Sequence, residues 1–293
     1  MAKVHEIRND YIKISVAEHG AELQSLTDTA TGQEYIWSGD PAVWGKHSPV
    51  LFPIVGSLKE NTYYYEGKPY QLGRHGFARD MDFSLSEQRP EALVFTLKSA
   101  EATLKNYPFP FELDIRYQLQ EKTVLVTYNV KNTGRGDMWF SIGAHPAFKL
   151  PLFEGDAYVE YHLEFEKTEN AGKWPILEGG LIAEAPVPFL ENTNKLPLNK
   201  NLFVKDALVF KDLQSEKIAL VSDKTGKGFV FSWKQFPFFG IWAAPGADFI
   251  CLEPWCGIAD STGSSQELTQ KEGINRLEAG GHFKRTWSVT INS

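Results

Sequence analysis

Strict alternation of apolar and polar residues is the feature that most limits how this chain can fold. Leu113, Ile115, Tyr117 and Leu119 alternate with Asp114, Arg116 and Gln118. A period of two sends one set of side chains to a core and the other toward water. The same register recurs at Ile12, Ile14 and Val16 against Lys13 and Ser15, at Val159, Tyr161, Leu163 and Phe165 against Glu160, His162 and Glu164, and at Trp287, Val289 and Ile291. Each segment reads as a half-buried antiparallel strand. Shorter strand-like runs at 93–97, 124–130, 218–221, 229–233 and 249–252 are divided by turn signals such as Asn132-Thr133-Gly134 and Lys224-Thr225-Gly226. No stretch sustains a helical apolar stripe beyond about two turns. The expected fold class is therefore all-β, with so many strands that closed barrels or two packed sheets are the natural solutions.

The 293 residues allow one large domain or two small ones. There is no internal repeat, low-complexity block or interdomain linker, so a single domain over 1–293 is expected. The Pro-rich stretch 186–197 reads as a long surface loop, and 285–291 as a final strand.

A formal charge of −7, spread along the chain, offers no basic stripe to nucleic acid or to an anionic leaflet. The start, Met1 to Arg8, is charged and lacks an apolar segment, and eighteen apolar residues never run together. The expectation is a cytoplasmic protein with a small-molecule partner and no nucleic-acid or membrane partner; the oligomeric state is left open. Cys251 and Cys256 are too few for a secreted disulfide framework and wrongly spaced for a zinc knuckle or thioredoxin-type site, so both are read as reduced, small apolar residues.

Three polar residues stand where a purely structural sequence does not need them. Glu253 follows the apolar run Phe249-Ile250-Cys251-Leu252 and precedes Pro254, which is expected to end the ladder there. A carboxyl at the rim of a core is desolvated and shifted toward the range of a general base, and Trp255 offers it an apolar wall. The plainer alternative is a Glu paired with an Arg at a strand end. His145 has small neighbours in Gly143-Ala144-His145-Pro146-Ala147, which leave room beside an imidazole that titrates near ~6.5 when unperturbed; a hydrogen-bonded core histidine is the alternative. His75 sits in Gly73-Arg74-His75-Gly76-Phe77-Ala78-Arg79, where glycines allow close backbone approach and two guanidiniums offer planar forks. A basic surface turn explains the same residues.

A zinc site from these three lacks H-E-x-x-H spacing, so neither metal nor cofactor is expected. No phosphate loop or G-x-S-x-G elbow is present. Glu253 with Asp206 or Asp248 could serve as the two carboxyls of a glycoside hydrolase.

Taken in order, Pro49-Val50-Leu51-Phe52-Pro53-Ile54-Val55-Gly56, His75-Gly76-Phe77-Ala78-Arg79, Gly143-Ala144-His145-Pro146-Ala147-Phe148, Asp206-Ala207-Leu208 and Glu253-Pro254-Trp255 resemble the aldose 1-epimerase (galactose mutarotase) family, in its LacX-like branch. The resemblance covers nearly the whole chain. It implies a large antiparallel β-supersandwich, a cofactor-independent isomerase and a sugar cleft across one sheet. It also implies that Glu253 is the general base, His145 the general acid and His75 a second active-site histidine, with Arg79 and Asp206 touching the sugar. Many members carry Arg after the glycine of P-x-x-G, where this chain has Ser57. That departure disfavours a hexose 6-phosphate, unless Lys59 or Arg74 substitutes, and keeps a non-catalytic carbohydrate-binding protein as an alternative. Trp37, Trp44 and Trp255 are candidates to stack on the pyranose.

Overall fold

The alternating segments pair as strands. In Phe111–Gln120 the odd-numbered residues are buried and the even-numbered ones face outward, and both neighbouring strands are antiparallel to it. In the computed structural model, which describes residues 3–292, this strand belongs to a nine-stranded sheet. Its order is Val187–Pro197, Tyr161–Lys173, Lys217–Ser222, Gly228–Ser232, His282–Asn292, Thr123–Asn132, Phe111–Gln120, Ala92–Lys98 and Ser84–Arg89. Every pair is antiparallel.

A shorter sheet runs Leu208–Phe210, Phe238–Trp242, Phe249–Cys256, Ile142–Ala144 and Val50–Leu51, with Ala147–Lys149 added beside Phe249–Cys256. It packs face to face on the long sheet through aromatic side chains. Phe148 meets Phe229 at 4.3 Å between ring centroids, and Phe239 stacks on Trp233 at 4.0 Å. One contiguous apolar cluster fills the space between the sheets and reaches the three-stranded sheet Val4–Arg8, Ile12–Ala17 and Leu23–Asp28. The all-β expectation is met: the α-helix Glu101–Asn106 is six residues long, and no helix among the described residues is long and apolar enough to cross a membrane.

Three local expectations are corrected. The 186–197 stretch is not a loop: Val187–Pro197 is the edge strand of the long sheet, paired with Tyr161–Lys173 through several register shifts. Its prolines and polar residues look like a loop because an edge strand tolerates missing donors and bulges. Val159 lies in a single 3-10 turn, Tyr158–Glu160, and is 65% exposed; the strand starts at Tyr161, so the alternation extends one apolar residue ahead of it. Pro254 does not end its strand, which continues to Cys256. It falls between the segment that pairs Ala147–Lys149 and the segment that pairs Ile142–Ala144, so no ladder bond is lost to its missing N–H.

Register in the short sheet positions everything that follows. Trp242 lies opposite Cys251, Gly240 opposite Glu253 and Phe238 opposite Trp255, so residues 251, 253 and 255 share the face turned away from the long sheet. Gly143 lies opposite Trp255 on the other side. A Cβ at either Gly143 or Gly240 would approach within 2.6 Å of the Trp255 ring. The small residues beside His145 therefore leave room for an indole rather than for the imidazole. Replacing Gly143 with Ala should overpack this site by ~1–3 kcal/mol, lowering Tm by roughly 2–10 °C in a thermal melt. Gly136→Ala, with nothing within 4 Å of its added carbon, should leave Tm almost unchanged.

Candidate active site

Glu253, His145, His75, Arg74, Arg79, Asp206 and Trp255 come from four separate chain segments, and all seven line one cleft on the outer face of the short sheet. The cleft holds about 230 Å³ and is closed by Trp44, Trp242, Ile176, Gly180 and Ile182. The Glu253 carboxyl, 2% exposed, rises from the cleft floor. His145 occupies the break between Ile142–Ala144 and Ala147–Lys149, where Leu252 N–H donates to Pro146 O. There its Nε2 lies 3.3 Å from Glu253 Oε2. Trp44 stacks on the His145 ring at 5.0 Å and Trp242 meets it edge-on at 5.6 Å.

His75 is held by a reciprocal pair of bonds. Its N–H donates to Gly56 O at 2.8 Å, and Gly56 N–H donates to its Nδ1 at 3.1 Å. Nδ1 is thus an acceptor, so the neutral ring carries its proton on Nε2. His75 and Gly76 both have positive φ, 70° and 72°, and a Cβ at Gly76 would reach 2.3 Å from Phe52 O. The glycine is required by close backbone approach. Arg79 Nη2 donates to Arg74 O at 3.0 Å, closing the turn. Arg74 faces Asp206 at 3.9 Å.

Burial dominates the protonation of the cleft floor. Desolvation lowers His145 from its ordinary value to about 3, Arg79 and Arg74 add to the fall, and contact with its own backbone opposes it. Desolvation raises Glu253 well above the usual carboxylate range; Asp206 reinforces the rise, while Arg74 and the Trp255 indole oppose it. That indole N–H makes no well-aligned hydrogen bond and is buried. His75 is lowered well below its ordinary value, by desolvation first and then by His145 and the two arginines. Burial thus favours the uncharged form of each group, a protonated carboxyl at Glu253 and a neutral imidazole at His145. The sequence expectation of an imidazole needing little tuning is corrected, because His145 is far more buried than its small neighbours suggest.

The sequence did not single out Trp242, Ile176, Gly180 or Ile182. Only the cross-strand position opposite Cys251 brings Trp242 to the site, and no local pattern encodes that. Trp37 does not line the cleft; it packs on Phe249 at 5.0 Å and donates through Nε1 to Trp44 O. Lys59 also lies outside, donating to Thr262 O. Asp248 is bound by Lys200 at 2.7 Å, away from the cleft. Cys251 and Cys256 are free and buried, as expected.

Residues 3–272 match the aldose 1-epimerase family. The chain belongs to the aldose 1-epimerase family. It is 35% identical to the chromosomal LacX protein of Lactococcus lactis subsp. lactis over 98% of each chain. Among solved structures, the galactose mutarotase related enzyme of Lactobacillus acidophilus shares 35% identity with a TM-score of 0.93, covering 99% of this chain and 98% of the other. A galactose mutarotase-like protein from Lactobacillus casei shares 31% identity with a TM-score of 0.92, covering 99% and 100%. The β-supersandwich expectation is borne out by these folds, and the protein is an isomerase, an epimerase of the kind that acts on carbohydrates.

The raised Glu253 pKa has a stability consequence. A carboxyl whose folded pKa exceeds its unfolded one favours the folded state fully below the unfolded value, ~4.3, and loses that contribution as pH rises through the folded value. Glu253→Gln removes the loss. Its Tm relative to wild type should therefore be higher at pH 8 than at pH 5, by roughly 2–4 °C for each kcal/mol recovered. Parallel melting curves that stay equally spaced at the two pH values would contradict the burial assignment.

Proposed function

We propose that this aldose 1-epimerase family member interconverts the α and β anomers of an unphosphorylated hexose by opening and reclosing its ring. The observation that carries the reading is the pairing of His145 Nε2 and Glu253 Oε2 at 3.3 Å on the floor of one cleft. Mutarotation needs one proton removed from the C1 hydroxyl and one delivered to the ring oxygen, and a pair that already shares one proton can do both without net exchange with solvent.

In the charge-separated arrangement, the resting proton has crossed from Glu253 to His145, and Arg74 steadies the carboxylate. Glu253 takes the C1 hydroxyl proton, His145 gives its proton to O5, the C1–O5 bond breaks and a C1 carbonyl forms. Glu253 is then protonated and His145 neutral, the distribution that burial favours. Rotation about C1–C2 and the reverse transfers close either anomer. His75, with its proton on Nε2, donates a hydrogen bond toward the substrate. Arg79 and Asp206 contact sugar hydroxyls, and Trp255 with Trp44 or Trp242 packs on the C–H faces. The cleft volume, about 230 Å³, lies below the ~300–1,000 Å³ of sites for larger ligands, which suits one monosaccharide. Ser57 is buried, and the two arginines lining the cleft each have a carboxylate within 4 Å, Asp206 and Asp80, which disfavours a phosphate.

Exchange spectroscopy by NMR on glucose, galactose and their 6-phosphates tests the reading. The protein should accelerate anomer exchange of a free hexose over its 6-phosphate. Glu253→Gln and His145→Asn should each lower kcat by about a hundredfold to ten-thousandfold, the usual worth of one positioned proton-transfer group, with sugar affinity retained. Because the second proton joins His145 only near its lowered value of about 3, kcat/KM should show no acid limb near the ordinary imidazole value of ~6.5. A step near 6.5 would reject the shared-proton mechanism, and sugar binding with no exchange on any of the four substrates would reject turnover itself.

A further inference from the structure

One buried nucleophile beneath the cleft has no part in this acid–base chemistry. Cys251 is fully buried and stands two residues before Glu253 on the same strand, so both side chains leave the same face. Among the described residues, Cys251, Glu253 and His145 form a group whose ligand atoms all lie within 4.8 Å of one another.

We propose that His145, Cys251 and Glu253 bind a zinc-class divalent ion, which excludes substrate from the cleft floor. A thiolate, an imidazole and a carboxylate are the ligand types such an ion prefers, and three protein ligands with one open position form a complete zinc site once water fills the fourth. Geometry supports the assignment. Two ligands held ~2.0–2.1 Å from a tetrahedral ion by N and O stand about 3.3 Å apart, and with sulfur at ~2.3 Å the separation is about 3.6 Å. His145 Nε2 and Glu253 Oε2 are already 3.3 Å apart, and the three residues present ligand atoms within 4.8 Å of one another, so metal binding requires the sulfur to draw inward.

Two of the ligands are carried by one strand paired on both sides, a rigid platform that holds their spacing. The Trp44 and Trp242 rings fix the third. The nearby cations are each offset by a carboxylate, Arg74 by Asp206 at 3.9 Å and Arg79 by Asp80 at 3.5 Å. On binding, the Cys251 thiol and the Glu253 carboxyl release their protons to solvent as the metal bonds form. The ion then holds the lone pairs that the acid–base pair needs, so it competes with the sugar instead of assisting it.

Cadmium ion, which gives a near-ultraviolet thiolate charge-transfer band, tests the site without reference to turnover. Titrating the full chain should produce the band at one ion per chain, and zinc should displace it. Cys256→Ala should retain the band and Cys251→Ala should lose it. In the exchange assay, zinc should inhibit the wild type, and Cys251→Ala should keep its metal-free rate while needing at least tenfold more zinc for half-inhibition. Should Cys251→Ala fail to fold, the Cys256→Ala protein decides alone, since Cys251 is then its single thiol. Absence of the band in that protein, or equal zinc inhibition with and without Cys251, would overturn the proposal. Failure of turnover leaves the cadmium result readable, so the two readings fail separately.

Discussion

Desolvation of the Glu253 carboxyl is the constraint around which the cleft is built. An ionised carboxylate at 2% exposure carries a penalty of several kcal/mol unless it is paired and hydrogen-bonded. The protein meets that penalty by setting an imidazole 3.3 Å away and leaving one proton between the two groups. The same burial favours the protonated form of Glu253 and the neutral form of His145. Arg74 pulls Glu253 toward ionisation while Asp206 pushes it back. These opposed charges act on a carboxyl whose place in the cleft is fixed by its strand.

That placement depends on strand register. Because side chains alternate with a period of two, a slip of one residue in Phe249–Cys256 would turn Glu253 into the core between the sheets and bring Leu252 or Pro254 to the cleft. Pairing on both sides prevents it, with Phe238–Trp242 along one edge and two short strands along the other. Trp255 adds a steric lock. Its indole fits only because Gly143 and Gly240 flank it without side chains, so the aromatic wall of the site also reports that the register is right. On the opposite face of the short sheet, Phe148 and Phe239 anchor it to the long sheet through Phe229 and Trp233.

Strands buried on one face were legible in the sequence because alternation is a local signal, and Phe111–Gln120 and His282–Asn292 emerge close to where the pattern puts them. Edge behaviour was not. Val187–Pro197 carries prolines that resemble loop punctuation, and only its position at the margin of the long sheet makes them harmless. At the site, the ionisable residues could be picked out because each interrupts an apolar or glycine-rich context. Their protonation could not, since it depends on how many other segments cover them. Trp242, Ile176 and Ile182 were invisible for a related reason: in sequence they are ordinary apolar residues, and their role comes from which strand or loop lies across the cleft.

Ser57 is buried and sits against the segment that carries Gly180 in the cleft wall. A Cβ at Gly180, whose φ is 76°, would come within 2.5 Å of Ser57 Oγ and 3.7 Å of Arg74 Cζ. Only a glycine at 180 lets the two segments approach this closely. The two arginines are already committed, Arg74 to Asp206 and Arg79 to the Arg74 carbonyl and Asp80. With a carboxylate beside each of its arginines, the cleft offers an anion less unopposed positive charge. A polyol makes no such demand. Its hydroxyls can donate to Asp206 and accept from Arg79 without disturbing either ion pair, and on the proposed reading that is why an uncharged hexose fits this member of the family.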